Sequence, residues 1–278
     1  MPIGHGISNE ALAKRWMTSD WKGRTDILAD YQRRLSQASI DRDWELVESI
    51  ASEFLESFDM HMLAVYNISR NDSTKNPGVG ESWDTDYKLL KGALILTHHC
   101  YESEPFFTYT LHDTRTKKDR EAVIPSYYDR SIHDLFRMLM APIIEPLLDL
   151  RCFSSREKRS IHDAVTEIRN IFSGPDAPKW VVRCDVRSFY DSISHSWVLD
   201  HFPMENNVLR QFLDPGRIYQ GEGPIKHNDK GVPTGNRLSA IIGNFVLNGL
   251  ESFIMDPNDP SNGAVVRWVD DLVISART

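Results

Sequence analysis

Two aspartates, Asp270 and Asp271, stand side by side in the middle of an otherwise apolar run, "VVRWVDDLVISART", from Val265 to Thr278. An ionised carboxylate removed from water is costly unless it is paired, hydrogen-bonded or bound to metal. The simplest chain path that tolerates the pair is a hairpin, with "AVVRWV" and "LVIS" as its strands and the aspartates at or near its tip. A third acid, Asp185, lies near the end of "KWVVRCDV", which reads as a buried strand. Neighbouring antiparallel strands would bring the three carboxylates together.

Clustered carboxylates repel one another unless cations bind. Magnesium takes oxygen ligands, commonly one or two carboxylates plus substrate phosphates. Two such ions, held roughly 3.5–4 Å apart, can activate an attacking 3'-hydroxyl and stabilise a departing pyrophosphate. Spacing alone leaves a plainer alternative equally open, in which Asp185 is a turn residue and the pair a polar hairpin tip.

Composition narrows the field. A chain of 278 residues that is 41% hydrophobic can bury a sizeable core, as one large domain or two tightly joined ones. No apolar run reaches the roughly 18 residues of a membrane span, and "MPIGHGISNE" lacks the charged start and apolar stretch of a secretory signal, so a cytoplasmic home without membrane contact is expected. Cys100, Cys152 and Cys184 are too far apart for a zinc-finger spacing, and "HHC" at His98 to Cys100 has metal-ligating side chains but reads first as an ordinary strand or helix end. A net charge of −8 argues against a surface coated in nucleic acid but leaves room for a local basic channel. Basic clusters occur at Arg115–Arg120 and Arg156–Arg159, each of which by itself reads as solvated surface.

The N-terminal part is predicted to be helical, with Leu46, Ile50, Phe54 and Phe58 recurring at spacings of four. A loop follows at "NDSTKNPGVGES". "FFTYTL" and "REAVIP" read as a hairpin with a basic tip, "SIHDLFRMLMAPIIEPLLDL" as a helix burying Leu135, Leu139 and Ile143 and broken or kinked by Pro142 and Pro146, and "IHDAVTEIRNIF" as a helix closed by Gly174 and Pro175. Beyond Pro178 come short strands and helices, including a helix opening at "HSWVLDHF" and a loop feeding a long apolar helix in "GVPTGNRLSAIIGNFVLNGLESFI".

The wording of several segments, in order, resembles reverse transcriptases. "CDVRSFYDSI" is similar to their first catalytic palm motif, "GVPTGNRLSAIIGNFVLNGLE" to the Pro-Gln-Gly motif that follows, and "RWVDDLVIS" to the Tyr-x-Asp-Asp hairpin. "LAVYNISRNDSTKNPGVGESW", "REAVIPSYYDRSIHDLFRMLMAPIIEPLLD" and "CFSSREKRSIHDAV" echo the bacterial group II intron type, so the resemblance runs from about Leu63 to the end. It implies an α+β fold of right-hand type: a helical region over 1–66, fingers with the basic hairpin over 67–175, and a palm with an antiparallel, helix-packed sheet over 176–278.

The same resemblance implies site roles. Asp185 and Asp270 would be metal ligands with the main-chain carbonyl of Val186, and Asp271 the second carboxylate of the hairpin. Two Mg2+ ions, with Mn2+ as a substitute, would be the cofactors. Tyr190 would lie beneath the incoming sugar and exclude a 2'-hydroxyl, Lys118 and Arg120 would contact the triphosphate, Thr234 and Gly235 would lie against the nucleotide, and Arg156 and Arg159 near the template. Asn244 would be a structural helix residue. Expected partners are an RNA template, a DNA or RNA primer and deoxynucleotides, with a structured noncoding or intron RNA in addition. Departures are Trp268 for the usual Tyr, Thr234 for the usual Gln, and no Asp after Val79. The sequence stops seven residues past Asp271, so the thumb is expected to be missing here, either because this is a fragment or because a partner protein supplies the grip. Two other functions fit these departures: an antiphage defence reverse transcriptase with unusual template or priming, and a catalytically decayed RNA-binding module.

Overall fold

The structure is a computed structural model that describes residues 7–70, 76–113, 118–173, 175, 177–219, 222–234, 236–255 and 263–277. Its first half is helical because polar caps alternate with apolar faces. After α1 (Asn9–Met17), Asp20 and Asp43 accept from the backbone amides of Gly23 and Leu46 and so start α2 (Trp21–Ile40) and α3 (Trp44–Glu56). α4 (Phe58–Ser69) and α5 (Asp86–Ile95) follow. The predicted stripe is only half right: Ile50 and Phe54 are buried, Leu46 is exposed, Val47 faces inward instead, and Phe58 belongs to the next helix. Four residues overshoot one helical turn by about 40°, so a strict spacing of four walks off the buried face.

β1 (Phe106–Asp113) and β2 (Lys118–Ile124) form the expected hairpin, paired from Phe107↔Ile124 to Asp113↔Lys118. A capping box of Ser126 and Asp129 opens α6 (Tyr127–Ile144), whose buried residues include Leu135, Leu139 and Ile143. Pro142 is accommodated inside its last turn, and the chain passes into a 3₁₀ turn at Glu145–Leu147 that takes up Pro146. The prolines therefore tighten the helix end without breaking it earlier. α7 (Ile161–Ile171) has its own capping box, Ser160 with Asp163.

The rest runs β3 (Trp180–Asp185), α8 (Phe189–Ser192), α9 (His195–His201), α10 (Asn206–Leu213), β4 (Arg217–Tyr219), β5 (Glu222–Lys226), α11 (Arg237–Val246), α12 (Leu250–Ile254), β6 (Gly263–Trp268) and β7 (Asp271–Ala276). Two sheets result. One has the order β2-β1-β4-β5, with β4 parallel to β1; the other, β3-β7-β6, is antiparallel throughout. The β4–β5 hairpin has no counterpart among the sequence expectations, and it couples the first sheet to a segment about a hundred residues downstream.

α6 is the axis of the core, packed by α2, α4 and α11 around Leu35, Phe54, Met60, Ile132, Phe136 and Leu238. Each such side chain contributes about 1.5–3 kcal/mol on burial. α7 covers the face of the second sheet that carries Val266, Trp268 and Val273, through Ala164 and Ile168. The expectation that β3 is a buried strand is corrected: Trp180, Val181 and Val182 are 66%, 58% and 54% exposed. Among the described residues β3 is an edge strand, paired with β7 on one side only. The architecture is α+β, and among the described residues no helix is long and apolar enough to cross a membrane.

Candidate active site

The central strand β7 fixes the geometry. Its first residue, Asp271, lies directly opposite Asp185 of β3 on one side and Trp268 of β6 on the other. Val269 and Asp270 are therefore the two-residue tip of the β6–β7 hairpin. Tight hairpin tips of this length need a positive φ, and Val269 supplies it at φ 57. A β-branched residue seldom adopts that conformation. Ser188, just after β3, is also left-handed at φ 50. Such non-glycine residues cost about 1–3 kcal/mol each and persist only where their surroundings over-determine them.

Arg267 is what holds the tip. Among the described residues it is the largest fully buried side chain, only 2% exposed. Its Nη1 donates to the carbonyl of Val269 (3.4 Å) and to Asn244 Oδ1 (3.4 Å), and its Nη2 donates to the Asn244 carbonyl (3.2 Å). Asn244 is itself fixed by donating from Nδ2 to the Ser154 carbonyl (2.8 Å), a structural role. Arg267 has no carboxylate in salt-bridge contact among the described residues, and burial lowers its pKa.

Main-chain contact closes the site: the Val186 amide donates to the Asp270 carbonyl at 3.3 Å. Burial pushes the Asp270 carboxyl above its usual range, and the negative charges of Asp185 and Asp271 push it the same way against a backbone hydrogen bond. Asp271 is turned to Arg183, whose Nη2 and Nε lie 3.1 and 3.2 Å from Oδ1. The oxygens of the three aspartates are not all within 4.8 Å of one another. Asp185 and Asp270 are the two without a basic partner among the described residues. Their free carboxylate oxygens are donors of the kind a hard divalent cation takes.

Tyr190 is partly buried, its hydroxyl pushed up to about 12 by burial and then by the charge of Asp270. Gly243 of α11 makes room for it, since a Cβ there would come within 3.1 Å of the Phe189 and Tyr190 rings. The Tyr190 carbonyl accepts from the Val232 amide and the Ile193 carbonyl from the Gly231 amide, both at 2.8 Å. These bonds tie the incoming end of the Pro-Thr-Gly loop to α8. Its outgoing end is held by Asn236, whose Oδ1 caps α11 by accepting from the Leu238 amide and whose Nδ2 donates to His133 Nδ1 at 2.8 Å. His133 is wholly buried and its pKa falls to about 3, chiefly through burial. Neutral and accepting at Nδ1, it carries its proton on Nε2, facing the Tyr101 hydroxyl at 3.4 Å, which donates in turn to Asp129 at 2.8 Å.

Other expected site residues are less uniformly placed. Thr234 is exposed on the loop, while Gly235 lies outside the described residues. Lys118 and Arg120 sit on β2 opposite Asp113 and Leu111, and their side chains lie outside the described ones. Arg156 needs correction. Its guanidinium is buried, paired through Nε and Nη2 with the Glu145 carboxylate (2.6–2.9 Å) and donating through Nη1 to the carbonyls of Asp149 and Cys152. Every donor is spent inside the protein, so it braces the chain between α6 and α7 and presents no charge to a template. Arg159 is half-committed, donating to the Leu150 carbonyl at 2.6 Å and lying over the Phe153 ring.

Sequence reasoning missed Arg267, His133 and Asn236, and with them a cleft of about 810 Å³ that reaches Thr234 and is bordered by Arg130, Arg137 and Arg237. Arg267 had a signal: it is a cation at an inward position of a strand otherwise apolar on that face.

Residues 112–278, more than half of the chain, match the model of the family described as reverse transcriptase (RNA-dependent DNA polymerase). The chain belongs to that family. It is 23% identical over 206 residues to the group II intron-encoded protein LtrA of Lactococcus lactis subsp. cremoris, covering 71% of this chain and 34% of LtrA. An uncharacterized 91 kDa protein in the cob intron of Schizosaccharomyces pombe is 25% identical over 247 residues, covering 83% of this chain and 28% of that protein. Protein YkfC of Escherichia coli is 23% identical over 159 residues, covering 54% of this chain and 41% of YkfC. The reverse transcriptase chain thus spans roughly a third of the length of these relatives. Among solved structures, a Sicinivirus 3Dpol RNA-dependent RNA polymerase overlaps 62% of this chain and 40% of its own at 10% identity and a TM-score of 0.39, a likeness too slight to bear on the fold.

Proposed function

We propose that this chain is the catalytic core of an RNA-directed DNA polymerase of the group II intron-like branch, acting in the cytoplasm on an RNA template, a primer and deoxynucleotides. The observation that carries the reading is the strand register that sets Asp185 opposite Asp271, with Asp270 at the hairpin tip. Divalent ions, two Mg2+ in this reading, would supply the activation of the primer 3'-hydroxyl and the neutralisation of the departing pyrophosphate. Asp185 and Asp270 would hold them with the Val186 carbonyl, and Asp271 is steadied by Arg183.

Around that centre the chain's own groups take the remaining roles. Tyr190 bounds the sugar pocket from below, so a deoxyribose fits better than a ribose. Lys118 and Arg120 on the hairpin attract the triphosphate, Arg as a fork and Lys as a point charge. The loop bearing Thr234 and Gly235 lines the base side of the nucleotide. The arginine-bordered cleft gives a negatively charged protein a local path for a phosphate backbone. Arg237, exposed in the first turn of α11, adds its charge to the positive end of that helix.

Primer extension tests the reading. The protein is given an annealed RNA template, a DNA primer, deoxynucleotides and Mg2+, beside Asp185→Ala and Asp270→Ala. Template-dependent product from the wild type and none from either variant is expected. Equal product from all three, or no product from a folded wild type that still binds the primer–template, would overturn it.

A further inference from the structure

A second cluster of ligand-type side chains stands well away in sequence from the aspartates. Glu56 is the last residue of α3, and His98 and His99 lie in the loop between α5 and β1. One ligand atom from each of the three lies within 4.8 Å of the other two. His99 Nε2 is already 2.6 Å from Glu56 Oε1. His98 is buried, its ring edge-on to Phe136 of α6 and 4.1 Å from the ring of His99. Its place is therefore fixed by the core, whereas Glu56 and His99 are exposed and free to adjust.

The surroundings favour a cation. The last turn of α3 has no basic residue, so Glu56 adds its charge to the negative end of the helix. Glu205, at the start of α10, is a further carboxylate within electrostatic reach of His98. Two imidazoles and one carboxylate are a frequent protein ligand set for zinc, with a fourth position left to water. Ligand atoms around a tetrahedral zinc at about 2.0–2.1 Å stand roughly 3.3 Å apart. Drawing the present set in to that spacing needs only small rotations of the two exposed side chains. Nitrogen ligands also separate this cluster from the aspartates: imidazole suits zinc, whereas carboxylate and carbonyl oxygens suit magnesium.

We propose that Glu56, His98 and His99 form a Zn2+ site that ties the end of α3 to the loop leading into the finger hairpin. Each imidazole must offer the ion an unprotonated nitrogen, so protons compete with zinc and binding weakens in acid. Because the ion bridges segments about forty residues apart in sequence, it binds the folded chain and raises its melting temperature.

The test uses the purified full chain, stripped with chelator, exchanged into excess Mg2+ and titrated with Zn2+. One equivalent is expected to bind, raising Tm by a few degrees, and Co2+ in its place should give the visible absorption of a four-coordinate site. Glu56→Gln and His99→Asn, both at exposed positions, should each weaken binding at least tenfold and abolish the zinc-dependent rise in Tm. Asp185→Asn with Asp270→Asn should leave both intact. The proposal is overturned if the wild type takes up no zinc in excess Mg2+. It is equally overturned if the Glu56→Gln, His99→Asn double variant binds zinc and gains Tm as the wild type does, which would make the ion adventitious.

Discussion

Arg267→Met removes the guanidinium that holds the catalytic hairpin while keeping an unbranched side chain of similar reach. In the structure its Nη1 grips the carbonyl of Val269, the residue whose φ of 57 makes the turn. Holding a β-branched residue there costs about 1–3 kcal/mol. Once the grip is lost, that strain favours other turn conformations in which Asp270 is displaced. At 1.36 kcal/mol per factor of ten, the competent hairpin, and with it the rate of nucleotide addition, falls roughly 5- to 150-fold. Stability should change much less. The lost hydrogen bonds are long, worth at most about 1 kcal/mol each, and relief from burying an unpaired guanidinium offsets them. The assay is single-nucleotide addition at saturating substrate, with Tm measured in parallel. Val269→Gly, which tolerates the turn without strain, should restore most of the rate in the Arg267→Met background. An unchanged rate in Arg267→Met, or a folded double variant no faster than the single one, would refute this reading of the buried arginine.

Three other outcomes follow from the same contacts. The Asp270 pKa is raised above 3.8, so the native state holds its proton more tightly than the unfolded chain and ionisation at higher pH costs stability; Asp270→Asn should therefore melt higher than wild type at pH 7 in EDTA, with the difference shrinking as pH falls toward 3.8. His133 has the opposite linkage: its pKa drops from 6.5 to about 3, so its contribution is complete above 6.5 and is lost as pH falls through that window. It adds up to about 1.4 kcal/mol per pH unit, and urea midpoints at pH 7 and pH 5 should lie closer together in His133→Gln than in wild type. Arg156→Lys keeps the charge but loses the fork around Glu145, which is partly exposed, so urea unfolding should show a loss on the order of 2 kcal/mol while the folded fraction binds template as before.

Much of this was legible where local rules and tertiary demands agree. The hairpin around Asp270 and Asp271 could be read because no smoothly buried strand tolerates two carboxylates, and the bodies of α6 and α7 because their apolar residues recur at helical spacing, although α6 starts at Tyr127 behind its Ser126 cap, four residues before the expected Ser131. β3 misled because Val181 and Val182 have strand chemistry, while nothing local says that only one neighbour will pair with them. Arg156 misled for a related reason: a basic run looks solvated until the chain folds Glu145 and two carbonyls around its guanidinium. The His133–Asn236 bond joins residues 103 apart in sequence, and Glu56 meets His99 across 43. No periodicity encodes such meetings; they exist only once α6 has gathered its neighbours.

The most direct test of the acid cluster is a Mn2+ titration followed by electron paramagnetic resonance, with primer–template and deoxynucleotide present and the Glu56→Gln, His99→Asn background used to remove the other cluster. Two ions should bind per chain, close enough for their spins to couple, and Asp185→Asn or Asp270→Asn should abolish the coupled signal. Uptake and coupling that survive both substitutions would show that these aspartates do not gather the metal, and the polymerase chemistry assigned to them would have to be given up.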